Sequence, residues 1–259
     1  MLGAITGDVI GSVYEWNNIK TTQFNLYNEK SFFTDDTVMT IAVAEAIMIG
    51  GSFVDSMKRW GRSYPDAGYG THFAYWLMSD NREPYNSWGN GSAMRVSPVG
   101  FAFNTLEEVL EKAKQSAEVT HNHPEGIKGA QATAAAVFMA RHGASKQDIK
   151  DYVEAQFGYN LSRKLDDIRP CYTFDVSCQG SVPEAIIAFL ESTDFESSLR
   201  LAVSIGGDTD TVACINGGIA QAYYKSIDKK LISFIRNKLT DEMLEVLDDF
   251  NARYKIHFE

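Results

Sequence analysis

The spacing of apolar residues along the chain predicts an almost entirely helical protein. Apolar and small residues recur at helical spacing in successive segments, and turn-forming or capping residues separate these segments. Neither an internal repeat nor a low-complexity segment competes with this interpretation. The predicted helices span residues 2–14, 38–48, 53–63, 72–79, 106–117, 126–141, 145–157, 194–205, 212–224 and 240–250, and Pro183 is predicted to initiate one more.

The first predicted helix carries Gly3, Gly7 and Gly11 on one face. Gly disfavours a helix by roughly 1 kcal/mol per position relative to Ala, so three in register indicate that another helix packs very closely there. Asp8 on the same helix is a candidate buried acid, and Glu15 stands at the predicted helix end. Two polar or irregular segments, 17–31 and 158–180, are long enough to form walls of a pocket.

Segment 204–224 combines a turn, two acids and an apolar helix. Gly206 and Gly207 suit a chain reversal, and Asp208 is a favourable N-cap for the helix that follows. Asp208, Asp210 and Thr211 would then crowd the first helical turn, where the helix dipole favours negative charge. This arrangement is suited to holding a hard cation.

An earlier segment has the same design. Thr34, Asp35, Asp36 and Thr37 precede another apolar, Ala-rich helix, so oxygen ligands again gather at a helix N-terminus. We predict that the two clusters form halves of one site. Their all-oxygen ligand set suits Mg²⁺, Mn²⁺ or Ca²⁺ rather than Zn²⁺, and the spacing excludes an EF-hand. Helix capping without a metal is the alternative for either cluster taken alone.

A third segment is rich in glycine and short polar residues. Its glycines would let the backbone approach a ligand, and backbone N–H groups there would suit a diphosphate, although a plain turn is the alternative. It lacks the G-K-[ST] ending of a P-loop. The candidate binding residues in it are Ser87, Gly89, Asn90, Gly91, Ser92 and Met94.

Composition restricts the class of protein. At 259 residues and 44% hydrophobic content, with no linker-like segment, we predict one domain over residues 1–259. Three cysteines without a C-x-x-C pair favour a reducing, cytoplasmic location. No run approaches the roughly 20 apolar residues that span a bilayer, so no membrane association is expected. A net charge of −10 argues against stable nucleic-acid binding.

Six blocks of the sequence resemble, in order, those of the ADP-ribosylglycohydrolase family, which includes dinitrogenase-reductase-activating glycohydrolases and ADP-ribosyl-acceptor hydrolases. The blocks are GAITGDVIGSVYEW at 3–16, FTDDTVMT at 33–40, SWGNGSAMRVSPVG at 87–100, THNHPEGIKGAQATA at 120–134, GSVPEAIIAFLES at 180–192 and SIGGDTDT at 204–211. The resemblance implies a single compact orthogonal helical bundle. It also implies two divalent cations, Mg²⁺ or Mn²⁺, and an ADP-ribosylated substrate.

The resemblance further implies roles for individual residues. One cation would be bound by Thr34, Asp35 and Asp210, and the other by Asp36, Asp208, Asp210 and Thr211. Asp36 or Asp208 would be the base that activates water, Glu15 would lie on a mobile loop that gates or assists, and His121 would line the ADP-ribose pocket. Ser87 departs from one branch of the family, which has a carboxylate at that position.

We therefore expect a monomeric hydrolase that releases ADP-ribose from a protein side chain, a nucleobase or a small molecule. Two alternatives stay open: a metal-dependent phosphohydrolase, which would release phosphate or AMP, and a non-catalytic ADP-ribose-binding protein. The acceptor is expected to lie against segments 17–31 and 158–180.

Overall fold

A computed structural model describes residues 1–257 and consists of α-helices joined by loops. No β-strand occurs among these residues; the nearest approach is an isolated antiparallel bridge between Gly89 and Ser177. In chain order the helices are α1 (Leu2–Gly11), α2 (Asp35–Ile49), α3 (Phe53–Ser63), α4 (Thr71–Met78), α5 (Gly91–Met94), α6 (Ser97–Ala102), α7 (Leu106–Glu118), α8 (Pro124–Arg141), α9 (Lys146–Phe157), α10 (Leu165–Ile168), α11 (Cys178–Glu191), α12 (Phe195–Ser204), α13 (Thr209–Tyr224), α14 (Lys229–Arg236) and α15 (Asp241–Arg253). The all-α prediction is confirmed.

Short polar side chains cap most of the long helices. Ser52 accepts a hydrogen bond from the backbone N–H of Asp55, and α3 has the predicted bounds. Thr105, Ser145 and Thr240 cap α7, α9 and α15 in the same way. Because such caps satisfy N–H groups that a helix leaves free, they locate helix starts from local sequence.

Helices α1 and α13 pack antiparallel along their length, in backbone-to-backbone contact. A Cβ atom on Gly7 would lie 1.9 Å from the carbonyl oxygen of Ala213, and one on Gly3 would lie 2.3 Å from that of Gly217. The close packing predicted from the glycine spacing is therefore confirmed. Helices α8, α11 and α12 surround α13, while α2 packs against α1.

Two predicted helix boundaries are wrong. Helix α1 ends at Gly11, not at residue 14, and the side-chain amide of Asn18 then binds the carbonyl groups of Tyr14 and Glu15. Glu15 consequently lies in a loop. Helix α11 begins at Cys178, because Ser177 caps it by accepting from the N–H of Gly180, and Pro183 lies inside the helix.

The two loops that follow α1 and α10 lie next to the turn before α13. Asn18 both donates to the carbonyl of Gly207 and accepts from its N–H, and Lys20 donates to the carbonyls of Tyr172 and Ile205. The rings of Trp16 and Phe174 stack with centroids 5.2 Å apart, which joins the loops at their tips. Among residues 1–257, no helix is both long enough and apolar enough to cross a membrane.

Candidate active site

The fold brings the N-termini of α2 and α13 together. The hydroxyl of Thr211 on α13 donates to Asp36 Oδ2 on α2 over 3.2 Å, across 175 positions of sequence. Asp36, Thr211, Asp208 and Asp210 are all buried, although each is polar. The two clusters that looked alike in the sequence therefore occupy one location, at the end of a cleft.

The loop after α1 adds a third acid to this location. Carboxylate oxygens of Glu15, Asp208 and Asp210 lie within 4.8 Å of one another. The carboxylates of Asp35 and Asp36 are not part of this closest group. Glu15, predicted to gate the site or assist the base, has its carboxylate beside those of Asp208 and Asp210, and its role stays a prediction.

Asp8 lies beneath the cluster and is satisfied by hydrogen bonds. It accepts from the N–H groups of Thr34 and Thr37 at 3.0 and 3.1 Å and from both threonine hydroxyls. Burial raises the pKa of Asp8 to about 6, although these hydrogen bonds work in the opposite direction. Asp8 thus fixes the loop that carries Thr34 and the first turn of α2.

The other carboxylates of the cluster accept fewer hydrogen bonds than Asp8 does. Burial first, and then neighbouring carboxylates, hold the pKa values of Asp35, Asp36 and Asp210 well above their usual range. The pKa of Glu15 is raised to about 7 by burial and by the charge of Asp210, and burial raises that of Asp208 to about 6.

Two oxygens in the cluster are unpartnered. Asp36 Oδ1 and Asp210 Oδ1 are buried without a hydrogen bond, and none of these acids forms an ion pair with a Lys or Arg of the described chain. Buried carboxylates are expected to be paired or to bind a metal. The donor set consists of carboxylate and hydroxyl oxygens, so it fits Mg²⁺ or Mn²⁺.

A cavity of about 540 Å³ opens beside the acids. Asn90 connects the Gly-rich segment to these acids, since its amide donates to Asp208 Oδ2 at 2.7 Å and to Ser181 Oγ at 3.0 Å. The lining of the cavity includes the predicted residues Glu15, Thr34, Asp35, Asp36, Ser87, Gly89, Asn90, Gly91, Met94, His121, Asp208, Asp210 and Thr211.

Ser92 does not face the cavity. Its side chain is fully buried and donates to the carbonyl of Gly126 at 2.7 Å, so it anchors α5 to α8. Its predicted part in substrate binding, which the sequence supports through backbone N–H groups, stays a prediction. The short length of α5, four residues, was also not evident from the sequence.

Aromatic and apolar side chains border much of the cavity. They are Trp16, Phe32, Phe33, Phe73, Tyr85, Phe174 and Val176. Tyr64 is not among them, because it stacks on Trp60 with centroids 5.9 Å apart. Trp16 is 76% exposed and Phe174 is 44% exposed, which is unusual for aromatic side chains. No local signal identified these residues, because their position depends on how the loops fold back over the cleft.

Comparison with known proteins agrees with the geometry. The family model described as ADP-ribosylglycohydrolase matches residues 1–256. The chain is 28% identical to "ADP-ribosylhydrolase ARH3" of Mus musculus, over 86% of this chain and 82% of that protein. It is 26% identical to "ADP-ribosylarginine hydrolase Tri1" of Pseudomonas putida (strain GB-1), over 86% of this chain and 69% of that protein.

A solved structure is also similar. A chain of an "ADP-ribosylglycohydrolase-related protein complex" superposes with a TM-score of 0.75 and 25% sequence identity. The match covers 98% of this chain and 95% of that one, so the similarity extends over the helices that form the cleft and over the scaffold around it.

Proposed function

Because this chain belongs to the ADP-ribosylglycohydrolase family and is a glycohydrolase, we propose that it releases intact ADP-ribose from an ADP-ribosylated acceptor by attack of water at the anomeric carbon. The observation that carries the proposal is the cluster of buried acids with unpartnered oxygens at the end of the 540 Å³ cavity. A cluster of this kind is suited to stabilising the positive charge that develops at an anomeric carbon.

The oxygen-rich end of the cleft would hold two divalent cations, Mg²⁺ or Mn²⁺. When bound, such cations supply Lewis acidity to a sugar diol and to water. The residues that would hold them are Thr34, Asp35, Asp36, Asp208, Asp210 and Thr211, with Glu15 close enough to take part. Asp210 would be shared between the two cations.

The chain's own side chains account for orientation and proton transfer. Asn90 holds Asp208 by a 2.7 Å hydrogen bond, and Thr211 holds Oδ2 of Asp36, which leaves Asp36 Oδ1 free to accept a proton. A carboxylate of Asp36 or Asp208, assisted by Glu15, takes a proton from the attacking water. The new bond joins the water oxygen to the anomeric carbon, the bond to the acceptor breaks, and the carboxyl group returns its proton to the departing acceptor.

The remainder of the cleft would hold ADP-ribose. Gly89 and Gly91, with Asn90 between them, would lie against the diphosphate, and His121 would border the same pocket. The acceptor would leave past Trp16 and Phe174, whose stacked rings border the cavity.

The experiment that tests the proposal is time-resolved mass spectrometry of the products. Serine-linked, arginine-linked and nucleobase-linked ADP-ribose are incubated with the protein in Mg²⁺, in Mn²⁺ and in chelator. Metal-dependent release of intact ADP-ribose from one substrate supports the proposal and identifies the acceptor class. Release of AMP or phosphate would indicate a phosphohydrolase. Binding of ADP-ribose and metal without turnover of any of the three substrates would contradict hydrolysis of these linkages.

A further inference from the structure

Arg95 is a fully buried cation without an acidic partner. None of the ion pairs formed within residues 1–257 includes it, and its Nε and Nη1 groups have no hydrogen-bond acceptor. Its Nη2 group donates to two oxygens, each at 2.9 Å: the carbonyl of Ser116 and the hydroxyl of Thr120. Burying a guanidinium without a carboxylate partner costs free energy of folding.

The hydroxyl of Thr120 connects Arg95 to His121, whose ring forms part of the cavity wall. Thr120 Oγ1 lies 2.7 Å from Nδ1 of His121. An arginine can only donate hydrogen bonds, so Thr120 Oγ1 accepts from Arg95 and keeps its own hydrogen to donate. Nδ1 of His121 is the acceptor within reach, and an imidazole that accepts at Nδ1 carries its proton on Nε2.

The other nitrogen of the His121 ring lies against the glycine-rich segment. A Cβ atom on Gly91 would be 3.0 Å from Nε2, and one on Gly89 would be 3.6 Å from it. His121 also lines the cavity. The N–H group at Nε2 is therefore located where a ligand held against Gly89 and Gly91 would offer an oxygen.

We propose that Arg95, acting through the Thr120 hydroxyl, fixes His121 in the tautomer that carries its proton on Nε2, and that this N–H donates to an oxygen of the ligand held over Gly89 and Gly91. Arg95 and Thr120 are positioning residues, and His121 is the ligand contact. The identity of that ligand as ADP-ribose rests on the proposed function. The tautomer itself does not, since it follows from contacts within the protein.

The first test measures the tautomer without any ligand. Nitrogen-15 NMR of the imidazole rings in the full-length protein distinguishes a protonated from an unprotonated ring nitrogen. The wild type and Thr120→Ser are expected to carry the His121 proton on Nε2, whereas Thr120→Val, which has the same shape without the hydroxyl, is expected to lose this preference. A wild-type proton on Nδ1, or an unchanged tautomer in Thr120→Val, would overturn the proposal.

The second test measures binding of ADP-ribose by calorimetry. Thr120→Val is expected to weaken binding about tenfold, because the Thr120 hydroxyl is what keeps the proton of His121 on Nε2. Thr120→Ser retains a hydroxyl and is expected to bind within about twofold of wild type. Equal binding by both variants would contradict the link between tautomer and ligand. Absence of binding by wild type would instead contradict the proposed function, and the NMR result would still decide the tautomer.

Discussion

Asp210 is a buried acid among other acids, a position that is expected to cost stability. Its Oδ1 is buried without a partner, and Asp208 and Glu15 lie within 4.8 Å. Asp210→Asn keeps the shape of the side chain and removes its charge. In chelator we therefore expect the variant to be more stable than wild type, with a free energy of unfolding higher by about 1–2 kcal/mol. Urea denaturation measures this difference.

The matched control for this variant is Asp66→Asn. Asp66 is exposed at the outer edge of the same cavity and is not part of the acid group. It is expected to change the free energy of unfolding by no more than about 0.5 kcal/mol, as is usual for surface positions. A destabilised Asp210→Asn protein in chelator would contradict like-charge repulsion in the cluster.

His121 makes a second prediction at the residue scale, concerning pH. Burial and then the charge of Arg95 hold the pKa of its imidazole well below the usual range. Below pH of about 6.5 the unfolded chain gains a proton at this residue and the folded state does not, so the folded state loses stability as pH falls.

His121→Gln removes the imidazole and therefore this loss of stability at low pH. The free energy of unfolding of wild type should consequently approach that of the variant as the pH falls from 7 to 5. The narrowing is expected to reach at most about 1.4 kcal/mol per pH unit. Urea titrations in chelator at several pH values measure it. The exposed His72→Gln variant is the control, and equal narrowing for both variants would argue against a perturbed His121.

At the scale of elements, the α1–α13 contact determines the site because it places Asp8 beneath α2 and Asp210. A methyl group at Gly7 would meet the backbone of Ala213 at 1.9 Å, and backbone cannot move aside as a side chain can. Gly7→Ala is therefore expected to lower the free energy of unfolding by about 3 kcal/mol, at the upper end of overpacking effects. Gly70→Ala is the control, since no atom lies within 4 Å of its Cβ position. Similar urea midpoints for both variants would contradict the predicted clash.

The loops after α1 and α10 meet where Trp16 stacks on Phe174 at the border of the cavity, and the proposed function places the acceptor there. Trp16→Ala is expected to lower kcat/KM for an ADP-ribosylated acceptor about tenfold, because the loop that carries Glu15 loses its stacking contact with Phe174, worth roughly 1 kcal/mol, and the acceptor loses an aromatic surface. Binding of free ADP-ribose should stay within about twofold. Tyr75→Ala is the control, because Tyr75 is also 76% exposed but does not line the cavity.

At the scale of the whole molecule, metal binding should couple to folding. The acidic cluster joins the first turns of α2 and α13 with the loop of Glu15, so cations bound there would connect three parts of the chain. Mn²⁺ or Mg²⁺ at 100 times its Kd is expected to stabilise the folded state by about 2.7 kcal/mol. Thermal unfolding with and without chelator measures the change. An equal gain in Asp210→Ala would contradict the proposed location of the cations.

Much of the helical architecture was predictable from the sequence, because helices and their caps depend on local interactions. Ser52 and Thr240 identified the starts of α3 and α15, and the spacing of Gly3 and Gly7 identified a close helix contact. The acids of the two helix starts were also recognisable, since a cap needs fewer carboxylates than Asp35 and Asp36 provide. Boundaries failed where a side chain outside the helix binds the backbone, as Asn18 binds the carbonyl groups of Tyr14 and Glu15 after α1.

What the sequence determined by itself was the all-helical class, the central glycine packing and the chemical type of the site. What the tertiary structure decided was which side chains meet. Glu15 joins Asp208 and Asp210 because a loop folds back after α1, and Asn90 reaches Asp208 across 118 positions of sequence. Ser92 turns away from the cleft for a similar reason. These outcomes depend on long-range packing, whereas helix formation and capping depend on residues a few positions apart.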